Sequence, residues 1–283
     1  MNRTFLIGEL GINFNGSLEL AKKLIDIAVD NGLDAIKFQK RSIDLVYTKE
    51  ELDKYRESPW GTTNREQKIG LEFGKPEYDE IDRYCKEKNI IWFASPWDLE
   101  SIEFLKQYNL KYWKIPSARL GHEELLTQVA KLGRYTFIST GMAEIEDIGK
   151  AINIFKKYEC PFELMYCNSQ YPLADKDANL LCIRTLKHIF NCKVGYSDHC
   201  PGLITSVIAI VLGATSLEKH ITHDRTAYGS DQAASVEPNG LHKLVEYIRM
   251  AEEALGNGKK TISEAEKLIK NKLWRIEDVK RNI

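Results

Sequence analysis

"TFLIGELGINFNGSLELAKKLIDIAVDNG", residues 4–32, holds two different periodicities joined by a short polar loop. Residues 4–10 form a short β-rich apolar run that ends in Glu9 and Leu10. In residues 17–32, Leu20, Leu24, Ile27 and Ala28 fall at i, i+4, i+7 and i+8, one face of a helix, with Ser17 placed to cap it and Gly32 to stop it. A strand followed by an amphipathic helix is one βα unit. The alternation recurs with "AIKFQ" before a helix near 76–89, "IIWFAS" before 99–108, "YWKIPS" before 122–132 and "YTFIST" before 144–157. "FELMYC" then precedes a helix near 178–190, "KVGYS" one near 202–212 and "TSLEKHIT" one near 239–254. About eight βα units in roughly 255 residues match the number and length of a closed (β/α)8 TIM barrel, an α/β fold. An open doubly wound sheet is the alternative.

No Pro-, Gly- or Ser-rich linker separates the units, so residues 1–283 are expected to form a single domain. Residues 41–75 are too long for an ordinary βα loop and are expected to lie over the C-terminal face, as a lid or as a surface excursion. A terminal helix is expected at about 263–275. With 40 Lys+Arg against 41 Asp+Glu the formal charge is −1, which offers no basic field for nucleic acid. The N-terminus carries no signal-peptide pattern and no run approaches 18 apolar residues, so a cytoplasmic protein without membrane association is expected. The six cysteines form no C-x-x-C pair and read as buried free thiols, with Cys167 and Cys200 beside site positions.

In a parallel barrel, catalytic groups gather at the C-terminal ends of the strands. The strand ends of this sequence are polar in every unit: Glu9 with Asn13, Lys37 with Gln39, Ser95, Lys114 with Ser117, Ser139 with Thr140, Asn168 with Ser169 and Tyr171, Ser197 with His199, and Glu218 with His220. Lys37 and Lys114 stand among strand-forming apolar residues, where an ammonium is desolvated unless a bound anion or a carboxylate compensates it. Each serine alone reads as a helix cap; together with two lysines the hydroxyls form a cradle for phosphate and carboxylate oxygens. Gly141 permits close approach of backbone N–H groups to an anion. His199 and His220 end neighbouring strands, about 4.8 Å apart, which allows both imidazoles to reach one divalent ion in an open shell.

"GELGINFNGSLELAKKLI", "IKFQ", "ASPWD", "KIPSA", "ISTGM", "YCNSQYP", "GYSDH", "LEKHIT" and "GSDQAAS", in order from about Gly8 to Ser235, resemble the N-acetylneuraminate (sialic acid) synthase family. The resemblance implies condensation of phosphoenolpyruvate with the open-chain aldehyde of N-acetylmannosamine or a related hexose derivative. The products would be a 3-deoxy-2-keto acid and phosphate. It implies a divalent metal, Mn²⁺ or Mg²⁺, on His199 and His220. It further implies that Lys37, Lys114, Ser95, Ser117, Ser139 and Ser197 hold phosphoenolpyruvate, and that Tyr171 and Asp231 face the sugar or the reacting centre. Glu9 matches a site carboxylate. Glu9, Asp198, Glu218 and Asp231 are all available to oppose positive charge at the reacting carbon, and the sequence does not rank them.

Three departures concern the acceptor. Where some members carry "SGE", this chain has Ser117, Ala118 and Arg119, which inverts the local charge and suits an anionic substrate or an ion pair with a carboxylate. Ser169 stands where some members have Asn, and "GSD" replaces the common "GPD". The family's C-terminal antifreeze-like domain is not expected in this chain. Relatives pair as dimers, and a homodimer is expected, with Leu268, Leu273 and Trp274 of the terminal helix as replacement contacts. The alternatives are a sugar-binding regulatory homologue and a barrel metal hydrolase using the same histidines.

Overall fold

The computed structural model of the protein describes residues 3–274. Eight parallel strands form one sheet: β1 Phe5–Glu9, β2 Ala35–Lys40, β3 Ile91–Pro96, β4 Tyr112–Ile115, β5 Tyr135–Ser139, β6 Phe162–Tyr166, β7 Val194–Asp198 and β8 Ser216–His220. β1 pairs with both β2 and β8, so the sheet curls on itself. Hydrogen-bonded pairing runs from β3 through β2, β1, β8, β7, β6 and β5 to β4. β3 and β4 meet at the remaining seam without a ladder, with Phe93 and Tyr112 packed at 6.0 Å between ring centroids. The fold is the expected (β/α)8 barrel.

The helix following each strand is α1 Leu18–Asp30, α2 Lys75–Glu87, α3 Leu99–Leu105, α4 Glu123–Lys131, α5 Ile145–Lys157, α6 Cys182–Phe190, α7 Ile204–Val211 and α8 Pro238–Leu255. α1 forms as its sequence dictates: the Ser17 hydroxyl accepts from the Leu20 N–H, and Ala21, Leu24, Ile25 and Ala28 are buried against the sheet. Truncating Leu24 to Ala there would cost about 2–5 kcal/mol. All six cysteines are unpaired thiols.

Side chains alternate across each strand, and that parity builds the interior. Ile7, Ala35, Phe93, Phe137 and Met165 fill the middle of the cylinder, with Phe5, Ile91, Tyr112 and Tyr135 packed beneath them. Below this apolar plug, buried Glu163 accepts from the hydroxyls of Tyr135 at 2.8 Å, Thr215 at 2.7 Å and Ser216 at 2.6 Å. Above it, toward the C-terminal rim, the inward residues become Glu9, Lys37, Ser95, Lys114, Ser139, Ser197 and Glu218.

Residues 41–75 contain short helices at Ile43–Val46 and Lys49–Leu52, a hairpin of Tyr55–Ser58 with Gly61–Thr63, and a helix at Asn64–Leu71. They lie against the C-terminal loops: Asp98 accepts from the Ser42 N–H at 2.7 Å, and the Trp60 and Tyr228 rings meet edge to face at 5.8 Å. The terminal helix, α9 Glu264–Leu273, begins at a Ser263/Glu266 capping box. Residue 275 of the expected helix and the last part of the expected domain lie outside the described residues. Leu268, Leu273 and Trp274 are exposed.

Candidate active site

A cavity of about 250 Å³ opens at the C-terminal mouth, lined among others by Glu9, Lys37, Gln39, Ser95, Lys114, Ser117, Ser139, Ser169, Tyr171, Ser197, His199, Glu218 and His220. All but Glu218 were singled out above as binding or catalytic candidates, and Glu218 was among the carboxylates left unranked. The strand ends converge because inward parity and the last residue of each strand coincide.

The buried lysines have carboxylate partners. Lys37 Nζ lies 2.8 Å from Glu9 Oε2 and 3.8 Å from Glu218 Oε1, and it donates to Ser95 Oγ at 3.2 Å. Lys114 Nζ donates to Glu218 Oε2 at 2.8 Å, and Ser197 Oγ donates to Glu218 Oε1 at 3.1 Å. Burial disfavours the Lys37 ammonium, but Glu218 and Glu9 outweigh it and raise its pKa. Burial likewise opposes ionisation of Glu218, yet Lys114 and Lys37 hold it well below the usual carboxylate range. Two ammonium groups and two carboxylates therefore form a charge-balanced, buried cluster. Gln39 Nε2 donates to Glu9 Oε1 at 2.7 Å and carries the network outward to Arg41, whose guanidinium donates to Gln39 Oε1.

On the opposite wall stand the imidazoles. His199 Nδ1 donates to the Asn168 carbonyl, which fixes the tautomer and leaves Nε2 as the lone-pair nitrogen. The Tyr171 hydroxyl donates to that Nε2 at 2.8 Å, and the two rings stack at 4.0 Å. Burial, and then the neighbouring His220, push the His199 pKa down to about 4, so the ring is neutral near pH 7. The His199 and His220 ring centroids are 5.7 Å apart. His220 Nδ1 is buried without a hydrogen-bond partner and lies 3.7 Å from Asp231 Oδ2. A neutral imidazole beside one with an orphaned nitrogen fits a divalent ion held in an open shell. Among the described residues no group of three His, Cys, Asp or Glu side chains converges to close that shell.

Two glycines make the rim possible. Gly141, whose N–H donates to Ser117 Oγ at 3.1 Å, packs so closely that a Cβ there would lie 2.3 Å from Ser169 Oγ and 2.9 Å from Ser117 Oγ. Gly11, at φ +53°, carries the loop after β1 past the His220 imidazole; a Cβ would lie 2.9 Å from Asp231 Oδ2.

Three of the expected site residues do not line the mouth cavity. Asn13 is buried and ties loops together, donating to the Ile221 carbonyl at 2.9 Å and Ser235 Oγ at 2.7 Å. Asp231 flanks His220 from an adjoining cavity. Arg119 turns outward, its guanidinium 5.7 Å from the Trp97 ring centroid and within 3.5 Å of the Val46 carbonyl. It forms no ion pair with a carboxylate among the described residues. Asp198 faces the helix layer and pairs with Lys219, so it drops out of the carboxylates able to reach the reacting centre. Trp97 and Cys167 line the cavity too. Cys167 Sγ lies 3.2 Å from Ser117 Oγ, a packing position between hydroxyls. The sequence signal for Trp97 is an aromatic residue directly after the third strand end, in "ASPWD".

The fold and the cavity together define a (β/α)8 barrel whose polar strand ends line one cavity at the C-terminal mouth. Residues 24–260 match the family described as the NeuB family, and the chain belongs to that family. It is 36% identical to an N,N'-diacetyllegionaminic acid synthase of Campylobacter jejuni, an alignment covering 99% of this chain and 87% of that protein. It is 37% identical to the N-acetylneuraminate-9-phosphate synthase of Homo sapiens, over 95% of this chain and 76% of that one. A crystal structure of an N-acetylneuraminic acid synthetase from Leptospira borgpetersenii, in complex with citrate, superposes with a TM-score of 0.85 at 35% identity, covering 97% of this chain and 93% of that one. These relatives are synthases, and this chain is an enzyme of the same kind.

Proposed function

We propose that the enzyme condenses phosphoenolpyruvate with the open-chain aldehyde of N-acetylmannosamine or a related hexose derivative, using Mn²⁺ or Mg²⁺ on His199 and His220. The observation that carries this reading is the single cavity shared by Lys37, Lys114, the serine hydroxyls and the imidazole pair. Lys37, Lys114, Ser95, Ser117, Ser139 and Ser197 supply charge-assisted and neutral donors for the phosphate and carboxylate oxygens of phosphoenolpyruvate. When bound, the metal supplies Lewis-acid polarisation of the aldehyde oxygen.

Carbon 3 of phosphoenolpyruvate bonds to the aldehyde carbon, whose oxygen takes up a proton. Water adds to carbon 2 and loses a proton; phosphate then departs with the electrons of its bond to carbon 2 and takes up the proton of the new hydroxyl, leaving a 2-keto acid and hydrogen phosphate. Carbon 2 gains positive character before water adds. Glu9 and Glu218 are the carboxylates in the cavity that oppose that charge, and the apolar plug closes the cylinder beneath them. Tyr171 orients His199 through its hydroxyl, and Asp231 flanks His220.

The test is phosphate release from phosphoenolpyruvate in the presence of Mn²⁺ and a panel of N-acylated hexosamines and their 6-phosphates. Release that depends on an aldose and is abolished by a chelator is expected. Silence across the panel overturns the reading.

A further inference from the structure

Beyond the mouth cavity, half-buried cations gather where residues 41–75 meet the strand ends. A second cavity, about 150 Å³, is lined by Arg41, Arg56, Lys68, Tyr47, Ser230 and Asp231 among others, three cations against one carboxylate. Lys68 Nζ sits 3.9 Å from the centroid of the Tyr47 ring. The Arg41 and Arg119 guanidinium carbons lie 4.5 and 5.7 Å from the ring centroid of the same residue, Trp97. Among the described residues, Lys68, Arg56 and Arg119 have no carboxylate within 4.0 Å, and Arg41 has only Glu72, at 3.9 Å, which is itself held at 2.9 Å by Lys40. Arg41 Nε and Arg119 Nε are buried without hydrogen-bond partners.

The contrast with the inner site is electrostatic. There every ammonium has a carboxylate; here positive charge is half-buried and left over, which folding alone does not favour. Burial first, and then repulsion from Arg41, lowers the Lys68 pKa, as expected of a cation in surplus. The cluster also adjoins the reacting centre on two sides: Arg41 reaches Glu9 through Gln39, and Asp231 lies beside His220. Trp97 lines the mouth cavity while both guanidiniums sit near its ring.

We infer that Arg41, Lys68 and Arg119, with Arg56 behind them, form an outer anion subsite that takes the far end of the acceptor, so that the preferred acceptor is a phosphate monoester of an N-acylated hexosamine. The inference rests on the condensation proposed above, because it places the aldehyde end of the acceptor at the imidazoles. Guanidinium groups suit a phosphate, which they bind through paired N–H donors. Asp231 faces His220 and disfavours a second anion on that side, which puts the phosphate on the Arg41, Lys68 and Arg119 side.

The experiment compares N-acetylmannosamine 6-phosphate with N-acetylmannosamine, both by calorimetric binding to the intact protein with Mn²⁺ and by phosphate release with phosphoenolpyruvate. The ester is expected to bind at least ten-fold more tightly and to turn over with at least a ten-fold lower KM. In Lys68→Ala and Arg119→Gln that preference falls toward unity, while KM for phosphoenolpyruvate changes less than two-fold. Equal binding of the two sugars overturns the subsite even if both are turned over, and the condensation reading then stands. Tight, Lys68- and Arg119-dependent binding of the ester without turnover of either sugar supports the subsite and removes the condensation reading. Loss of the preference to added KCl but not to inorganic phosphate would mark a diffuse field and also overturn it. Because the wild-type comparison decides the matter, a variant that misfolds leaves the test intact.

Discussion

Glu218 and Lys219 are neighbours on the last barrel strand, and each belongs to a buried ion pair, but the two pairs do different work. Glu218 points inward to Lys114 at 2.8 Å and lines the mouth cavity. Lys219 points outward to Asp198 at 2.9 Å, and its ammonium also donates to the carbonyls of Cys200 and Gly202. Asp198 in turn accepts from the Cys200 N–H and from the hydroxyls of Tyr196, Thr205 and Ser206. The outer pair is closed, since its polar atoms are engaged by fixed protein partners. The inner pair opens onto a cavity, so its donors can be shared with a ligand. Burial and charge are alike in both; the number of fixed partners separates architecture from chemistry.

The sharpest way to break this comparison is to delete one cation from each pair. Lys219→Met leaves Asp198 buried and uncompensated, and is expected to lower stability by about 3–5 kcal/mol in urea unfolding. Lys114→Met should instead reduce kcat/KM by at least about 10²-fold, roughly 3 kcal/mol at 1.36 kcal/mol per decade, with stability falling less than in Lys219→Met because Lys37 still faces Glu218. If the two variants unfold equally, the division into closed and open pairs fails.

Acid sharpens it further. The folded pKa of Glu218 is depressed, so the carboxylate contributes stability above its ordinary value of 4.5 that is lost as pH falls toward the folded value. Below pH 4.5, Glu218→Gln should therefore lose stability with a shallower slope than the parent, by up to one proton or about 1.4 kcal/mol per pH unit. The smallest effect is expected at the opposite mouth. Among the described residues Glu163 is held by three hydroxyls and no cation, and hydroxyls can rotate to accept as well as donate. Glu163→Gln should cost only about 1 kcal/mol and leave kcat/KM unchanged. A loss of activity there would show that the two ends of the cylinder are coupled.

Much of this was legible in the residues. The eight βα units and the polar strand ends gave the barrel and most of the cavity lining, because inward parity and strand termination are local properties. Lys37 and Lys114 were read as needing an anion or a carboxylate, but the choice between these depends on which residues face them. Glu218 on β8 meets Lys114 on β4 across the barrel interior, and no local pattern encodes that meeting. The direction of Asp198 is legible too: if Ser197 and His199 face inward, strict alternation sends the residue between them outward. Arg119 and Asn13 sit in loops, where no period fixes direction. The path of residues 41–75 decides where Arg119 lies.

That division of labour between strand and loop has an evolutionary corollary. A one-residue insertion or deletion within Ser216–His220 would exchange the inward and outward sets at once, costing the molecule its cavity-lining Glu218 and His220 and a structural ion pair in the same event. The excursion over the mouth has no such register to keep, so length changes there would leave the cylinder intact. Heritable variation should therefore redraw which acceptor is admitted far more readily than it alters the reaction.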